Sequence, residues 1–308
     1  MASKLNRKFL LVVIGFSAAA ILLLTAVVLV NQLWLKNAER HVRAGDELLA
    51  QGKAREAYGM YGRAVSKKPE SVEYVGKMEE ALGKVVADTA AQSTEDYRNL
   101  MMLKRARTRA QPGDPEQWRI LMDALEDEAE LFARGEGWLT IEGVAKEMKD
   151  AMPPGSDGLK AAEEALIAAR AERQAVLTAG ERSDLERQAE AFVKVNPRSW
   201  RGWGALAGLR IADVGNLRNA GQESAAARRI EQLDRTIADM KASVDGNDPR
   251  ARYAMALVEL DRATLDARVG NRIERSKLDK AKVAEAAKRL GDAAVATERS
   301  LLVRQAAG

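Results

Sequence analysis

The residues able to do chemistry are few and scattered. The chain has no cysteine and a single histidine, His41, which removes thiol nucleophiles, disulfides and thiolate metal sites. His41 stands among charged residues just past an apolar run, the setting of a solvated surface histidine and not of a catalytic one. Carboxylates crowd together in "ALEDEAELF", where Glu126, Asp127, Glu128 and Glu130 read as the outer side of a helix. An acid and base pair needs a cleft that drives two pKa values apart, and the sequence marks none there. The glycines of "RGEGW" follow no strand and so read as a turn between helices, not as a phosphate loop. "KRARTR", residues 104–109, has helical spacing beside Leu100 and Leu103 and reads as a solvated face. The 49 basic and 45 acidic residues alternate along the chain and leave only +4, a weak case for nucleic acid. The expectation is a protein that is not an enzyme and carries no metal or cofactor.

What must position any such residue is helical throughout. All seven prolines fall in turn-like clusters, "KKPES", "QPGDPE", "MPPGSDG", "VNPRS" and "GNDPR", and proline is poorly tolerated inside a helix. Between Pro69, Pro115, Pro154, Pro197 and Pro249 the intervals are roughly 40 to 50 residues, each with two helical patterns and a short break. The breaks are placed at "AAQSTED" before Tyr97, at "RGEGW", at "TAGERSD" and at "DVGN". Asp114 with Pro115 and Asp248 with Pro249 read as N-cap and first-turn pairs, and Ser183 with Glu186 as a capping box. Nothing reads as a strand. The expected fold is all-α, an N-terminal transmembrane helix followed by an α-solenoid of about six helical hairpins.

The anchor is expected over residues 9–35. Residues 9–30 are apolar or small, with hydroxyls only at Ser17 and Thr25, and as a helix they reach about 33 Å, enough to cross a bilayer. Lys4, Arg7 and Lys8 precede this run in a basic tail of residues 1–8, and Trp34 falls at the far interface. A cleavage site at "SAA" would leave "ILLLTAVVLV" exposed at the new terminus, so an uncleaved signal anchor is expected. Lysine and arginine are nearly balanced across it. A short basic N-terminus is easily retained inside while a long domain crosses, which places the N-terminus in the cytoplasm and the rest on the periplasmic side of an inner membrane. No glycine or proline lies in residues 31–44, and Leu35, Ala38, Val42 and Leu49 keep helical spacing. The membrane helix is therefore expected to run unbroken into the next one, to about Ala50, where Gly52 turns the chain.

Beyond the anchor, Gly45, Ala57, Tyr61, Ala64 and Pro69 stand in an order and spacing that resembles the tetratricopeptide repeat. Small side chains let paired helices approach and the aromatic fills the space beside their crossing. The match covers residues 38–71. A Trp-x-x-Leu opening recurs at Trp118 with Leu121 and at Trp203 with Leu206, both read as inter-helix core. Further repeat-like hairpins are assigned to residues 72–248 and a C-terminal hairpin to residues 249–308.

The resemblance implies a concave face, lined by the first helix of each hairpin, that binds a protein or peptide. It would present Glu39, Val42, Asp46 and Leu49 in the first repeat, Glu116, Arg119 and Asp123 after Pro115, and Arg201 with Gly204 after Pro197. Val42 and Asp46 occupy the positions where the carboxylate-clamping subclass of the family carries lysine and asparagine, which argues against that ligand and for an extended or helical protein segment. The implied function is a single-pass membrane scaffold for partner proteins. An anchor and regulatory arm of a longer enzyme, or of a secretion or envelope assembly, is the alternative left open.

Overall fold

A computed structural model describes residues 37–131, 136–269 and 272–296, with isolated positions at Phe16, Ser17, Ala20, Ile21 and Thr25. The anchor expected over residues 9–35 lies outside the described residues but for those five. They are helical, Phe16 and Ile21 are exposed, and the Thr25 hydroxyl donates to the Ile21 carbonyl at 2.7 Å. Among the described residues no helix is long and apolar enough to cross a membrane. The protein is all-α in its architecture, and it divides into two compact units, Met1–Pro112 and Gly113–Gly308.

The first unit contributes α1 (Ala38–Ala50), α2 (Ala54–Lys67), α3 (Val72–Gly83) and α4 (Ala90–Ala110). Gly52, at φ 76°, makes the turn between α1 and α2, a backbone conformation that costs glycine nothing. Side chains at helical spacing on α2, Ala57, Tyr58, Tyr61, Ala64 and Val65, join Val42, Tyr74, Val75, Met78 and Leu103 in one core. The α1–α2 crossing is close because Gly45 has no side chain: a Cβ there would sit 2.5 Å from the Tyr61 ring. Ala57 is 0% and Tyr61 1% exposed, so both small residues and the aromatic do the packing work expected of them. The Tyr61 hydroxyl then donates to Asp46 at 2.7 Å, and the Tyr58 hydroxyl to the Asn99 carbonyl at 2.7 Å.

In the second unit α5 (Pro115–Leu131), α6 (Glu136–Ala151), α7 (Asp157–Glu172), α8 (Ala179–Val195), α9 (Trp200–Asn219), α10 (Glu223–Ser243), α11 (Pro249–Leu265) and α12 (Lys280–Ala296) follow one another. They form two layers. Helices α5, α7, α9 and α11 stack in order as an inner layer, and α6, α8, α10 and α12 pack on its outer side. Polar caps start the inner helices: Asp114 accepts from Glu116, Ser156 from Leu159, Ser199 from Gly202 and Asp248 from Arg250. Trp118 and Leu121, and Trp203 and Leu206, lie buried. Trp203 also donates its indole N–H to the Pro197 carbonyl at 2.8 Å, and complete burial of a leucine such as Leu206 stabilises by about 1.5–3 kcal/mol.

Several expectations are corrected. The helix of residues 38–50 does not continue from the segment before it: Asn37 is an extended N-cap whose side chain accepts from the Glu39 N–H. "AAQSTED" is the first part of α4, capped by Thr89, because its serine and threonine bond backbone carbonyls one turn back and do not break the helix. "DVGN" lies within α9, and the chain turns later, at Gly221 with φ 72°. The capping box is Thr178 with Glu181, one turn before Ser183 and Glu186. A strand pair exists as well: β1 (Arg268–Val269) pairs antiparallel with β2 (Arg272–Ile273), too short for periodicity to reveal. The "KRARTR" face is half-buried, with Ala106 and Thr108 in the interior and Arg107 paired with Glu79.

Candidate functional site

In the first unit the sequence-derived groove residues part company. Val42 joins the core and Leu49 packs against it. Glu39 stays exposed beside Arg43, while Asp46 accepts from Tyr61 and from the Lys77 ammonium, each at 2.7 Å. Burial works to raise the Asp46 carboxyl, but these two hydrogen bonds outweigh it and hold its pKa below the usual carboxylate value. His41 is half-buried, and its pKa is lowered by burial and then by the charges of Arg63, Lys67 and Arg40, which leaves the ring neutral at pH 7.

In the second unit the corresponding residues are gathered into one ion network on the inner layer. Arg201 of α9 donates to Glu126 of α5 twice at 2.8 Å and to Asp123 at 2.8 Å. Its guanidinium lies 3.9 Å from Glu164 of α7 and stacks on the Trp200 ring at 4.4 Å. Asp123 also pairs with Arg250 of α11 and with Arg119, which bonds Glu116 in turn. Three stacked helices thus meet at one guanidinium, and α11 joins them through Asp123, across 75 residues of sequence between Arg201 and Glu126.

The side chain of Arg201 is 16% exposed and that of Glu126 6%, so Glu126 is an interior residue, not the outer-face carboxylate its sequence neighbours suggested. Burial opposes the charge on Arg201, yet the Glu126 carboxylate outweighs it and raises the guanidinium pKa. Glu164, which accepts from the Ser199 hydroxyl at 2.5 Å, is pushed above the usual carboxylate value by burial, with Arg201 pulling the other way. This half of the inner face is closed by its own charges.

Toward the C-terminal ends of the same helices the face opens into a cavity of about 530 Å³. Its floor on α9 is Gly208, Ile211, Ala212 and Gly215, one face at helical spacing. A Cβ at Gly208 or Gly215 would meet nothing within 4 Å, so these glycines widen the cavity, and Gly215 is the residue that made "DVGN" resemble a turn. Glu172 of α7, Asp261 of α11, Asp266 just past its end and Glu223 of α10 stand on the wall with Arg218, Arg268 and Lys277, the last paired with Glu274. Arg218 holds Asp266 at 3.0 Å and the Leu265 carbonyl at 2.6 Å, and Arg268 holds Asp261 at 2.5 Å. Glu172 has no cation against it among the described residues. Surrounding protein raises its pKa, and the Asp261 and Glu126 carboxylates add to the rise. The neighbouring Gln174 donates to the Gly208 carbonyl at 3.3 Å, and its own side-chain oxygen is buried without a donor.

No protein-family model matches this chain, and no curated protein is significantly similar to it. Among the described residues no group of histidine, aspartate and glutamate side chains has the geometry to hold a metal ion. The cavity is not legible in the sequence because its lining comes from α7, α9, α10, α11 and the segment after α11, which are far apart in the chain. The one available signal was the glycine pair on α9, seven residues apart, which a turn explains equally well.

Proposed function

We propose that this protein is a membrane-anchored scaffold of tetratricopeptide-like hairpins that holds a partner protein or peptide close to the bilayer, on the inner face of its second unit. The observation that carries the proposal is the cavity on α7, α9 and α11. It is widened by glycines, lined by charges of both signs, and furnished with a carboxylate, Glu172, that no cation meets among the described residues. A lysine or arginine of a bound segment would pair with that carboxylate. The α1–α2 crossing through Gly45, Ala57 and Tyr61 supports the repeat resemblance, and the apolar run of residues 9–30 behind a basic tail supports the anchor.

The test places a photo-crosslinking amino acid at Ala212 of the full chain in its own membrane. The expected result is a discrete adduct with a protein, lost when Gly215→Leu fills the floor and weakened by Glu172→Lys. Adducts indifferent to both substitutions would refute the assignment of the cavity. A reporter active only outside the cytoplasm, fused after Gly308, is expected to be active, and activity of a cytoplasm-only reporter there would reverse the topology.

A further inference from the structure

Three grooves run along the outer layer of the second unit, each between successive outer helices. The groove between α8 and α10 is small, about 200 Å³, and it is strapped shut. Glu186 of α8 pairs with Arg229 of α10 and with Arg210 of α9 at 3.1 Å, and Arg229 reaches Asp213 at 2.8 Å. Between α10 and α12, Glu259 of α11 takes Lys241 at 2.5 Å from one side and Arg289 at 3.1 Å from the other. Between α6 and α8 no such strap exists. Glu142 binds Lys146 and Arg173, and Lys149 binds Glu163 at 3.2 Å, which ties α6 down toward α7, but among the described residues no side chain of α8 bonds α6.

That third groove is the largest, about 840 Å³. Its accessible apolar side chains are Leu166 of α7, half-buried, and Val195 of α8, 77% exposed; Ile167, Leu185 and Phe192 beneath them are buried in the core. Its charges are Lys146, Lys149 and Arg170 against Glu142 and Glu163. Both carboxylates are already paired, and Arg170 makes no hydrogen bond or ion pair with a described residue, although Glu142 and Glu181 lie within reach of its field.

We infer that the groove between α6 and α8 is a second docking site, distinct from the inner-face cavity, and that its occupant is an acidic amphipathic helix of a partner protein. A channel bounded by two helices with no strand edge accepts a third helix, whose leucine-type face covers Leu166 and Val195. The cationic surplus and the unmet Arg170 require a carboxylate on the rim of that helix, because an arginine offers a planar fork to one.

The probe is a synthetic amphipathic peptide of about 18 residues, or five helical turns, with leucines on one face and glutamates on the other. It carries a fluorophore and is titrated against the full chain in detergent, beside a counterpart with lysines in place of the glutamates. The glutamate peptide is expected to bind at least tenfold more tightly than the lysine peptide, and Arg170→Glu and Val195→Asp are each expected to weaken it about tenfold, the loss of roughly 1.4 kcal/mol. Both positions face solvent or the groove, and unchanged thermal unfolding of the variants confirms that they fold. Failure of the glutamate peptide to bind overturns the inference, as does equal binding of the lysine peptide or insensitivity to both substitutions. Self-association of the chain abolished by Val195→Asp, or occupation of the groove by residues 297–308 in crosslinking, also overturns it, since the occupant would then be this chain itself.

Discussion

Replacing Arg201 by methionine tests whether one guanidinium holds the inner layer together. The long side chain keeps most of the packing volume and removes the charge. Asp123 would retain Arg119 and Arg250, and Glu164 would retain the Ser199 hydroxyl. Glu126, 4% exposed and bonded among the described residues only to Arg201, would be left as an uncompensated interior carboxylate. Breaking a buried pair in this way costs about 3–5 kcal/mol, and for a unit of this size each kcal/mol lowers Tm by roughly 2–4 °C, so Arg201→Met should lose about 6–20 °C.

The double variant Arg201→Met, Glu126→Leu removes the stranded charge and should recover most of that loss, because an apolar pair of similar volume often replaces a buried ion pair at little cost. pH supplies a second readout. Glu164 has a raised carboxyl pKa in the folded chain, so its contribution is present below the unfolded pKa and is lost as pH rises through the folded one. Removing Arg201, which pulls that pKa down, should raise it further, and the variant should lose more at neutral pH than near pH 5. Thermal unfolding by circular dichroism measures both effects. A single variant that loses less than about 1 kcal/mol, or a double variant no better than the single, would refute the account of the network.

At the α1–α2 crossing, Ala57→Trp is expected to cost about 1–3 kcal/mol by overpacking, whereas Glu56→Gln, on the exposed side of the same helix, changes stability by less than about 0.5 kcal/mol; equal shifts in chemical denaturation would remove the assigned register. Asp46 has a folded pKa held below its unfolded value, so its contribution is present above the unfolded pKa and lost as pH falls through the folded one. Asp46→Asn should therefore flatten the loss of stability of the first unit below about pH 4, and an unchanged acid titration would show that Tyr61 and Lys77 do not hold that carboxylate.

The helical breaks illustrate how local chemistry is read and misread. Asp248 with Pro249 caps α11 as its sequence implies, since a side-chain acceptor and a fixed φ act within one turn. Glycine carries no such certainty. Gly52 and Gly221 turn the chain with positive φ, while Gly215 lies within α9 on the floor of a cavity. The same residue type serves both uses, and only its surroundings in space tell them apart.

By itself the sequence determined the all-helical class, the prolines as boundaries, and the small and aromatic residues that meet between α1 and α2. Each of these depends on period, caps or backbone restrictions that operate over a few residues. Tertiary structure alone decided the fate of the charges. Glu126 and Glu128 are glutamates two residues apart, yet Glu126 is interior, where α9 brings Arg201 against it from 75 residues away. Arg229 and Arg170 are alike in sequence context, but the first straps one outer groove shut and the second stands unmet in another. A charge is worth little on a helix surface and much once two helices enclose it, and which helices do so is a property of the stacking, not of the residues nearby in the chain.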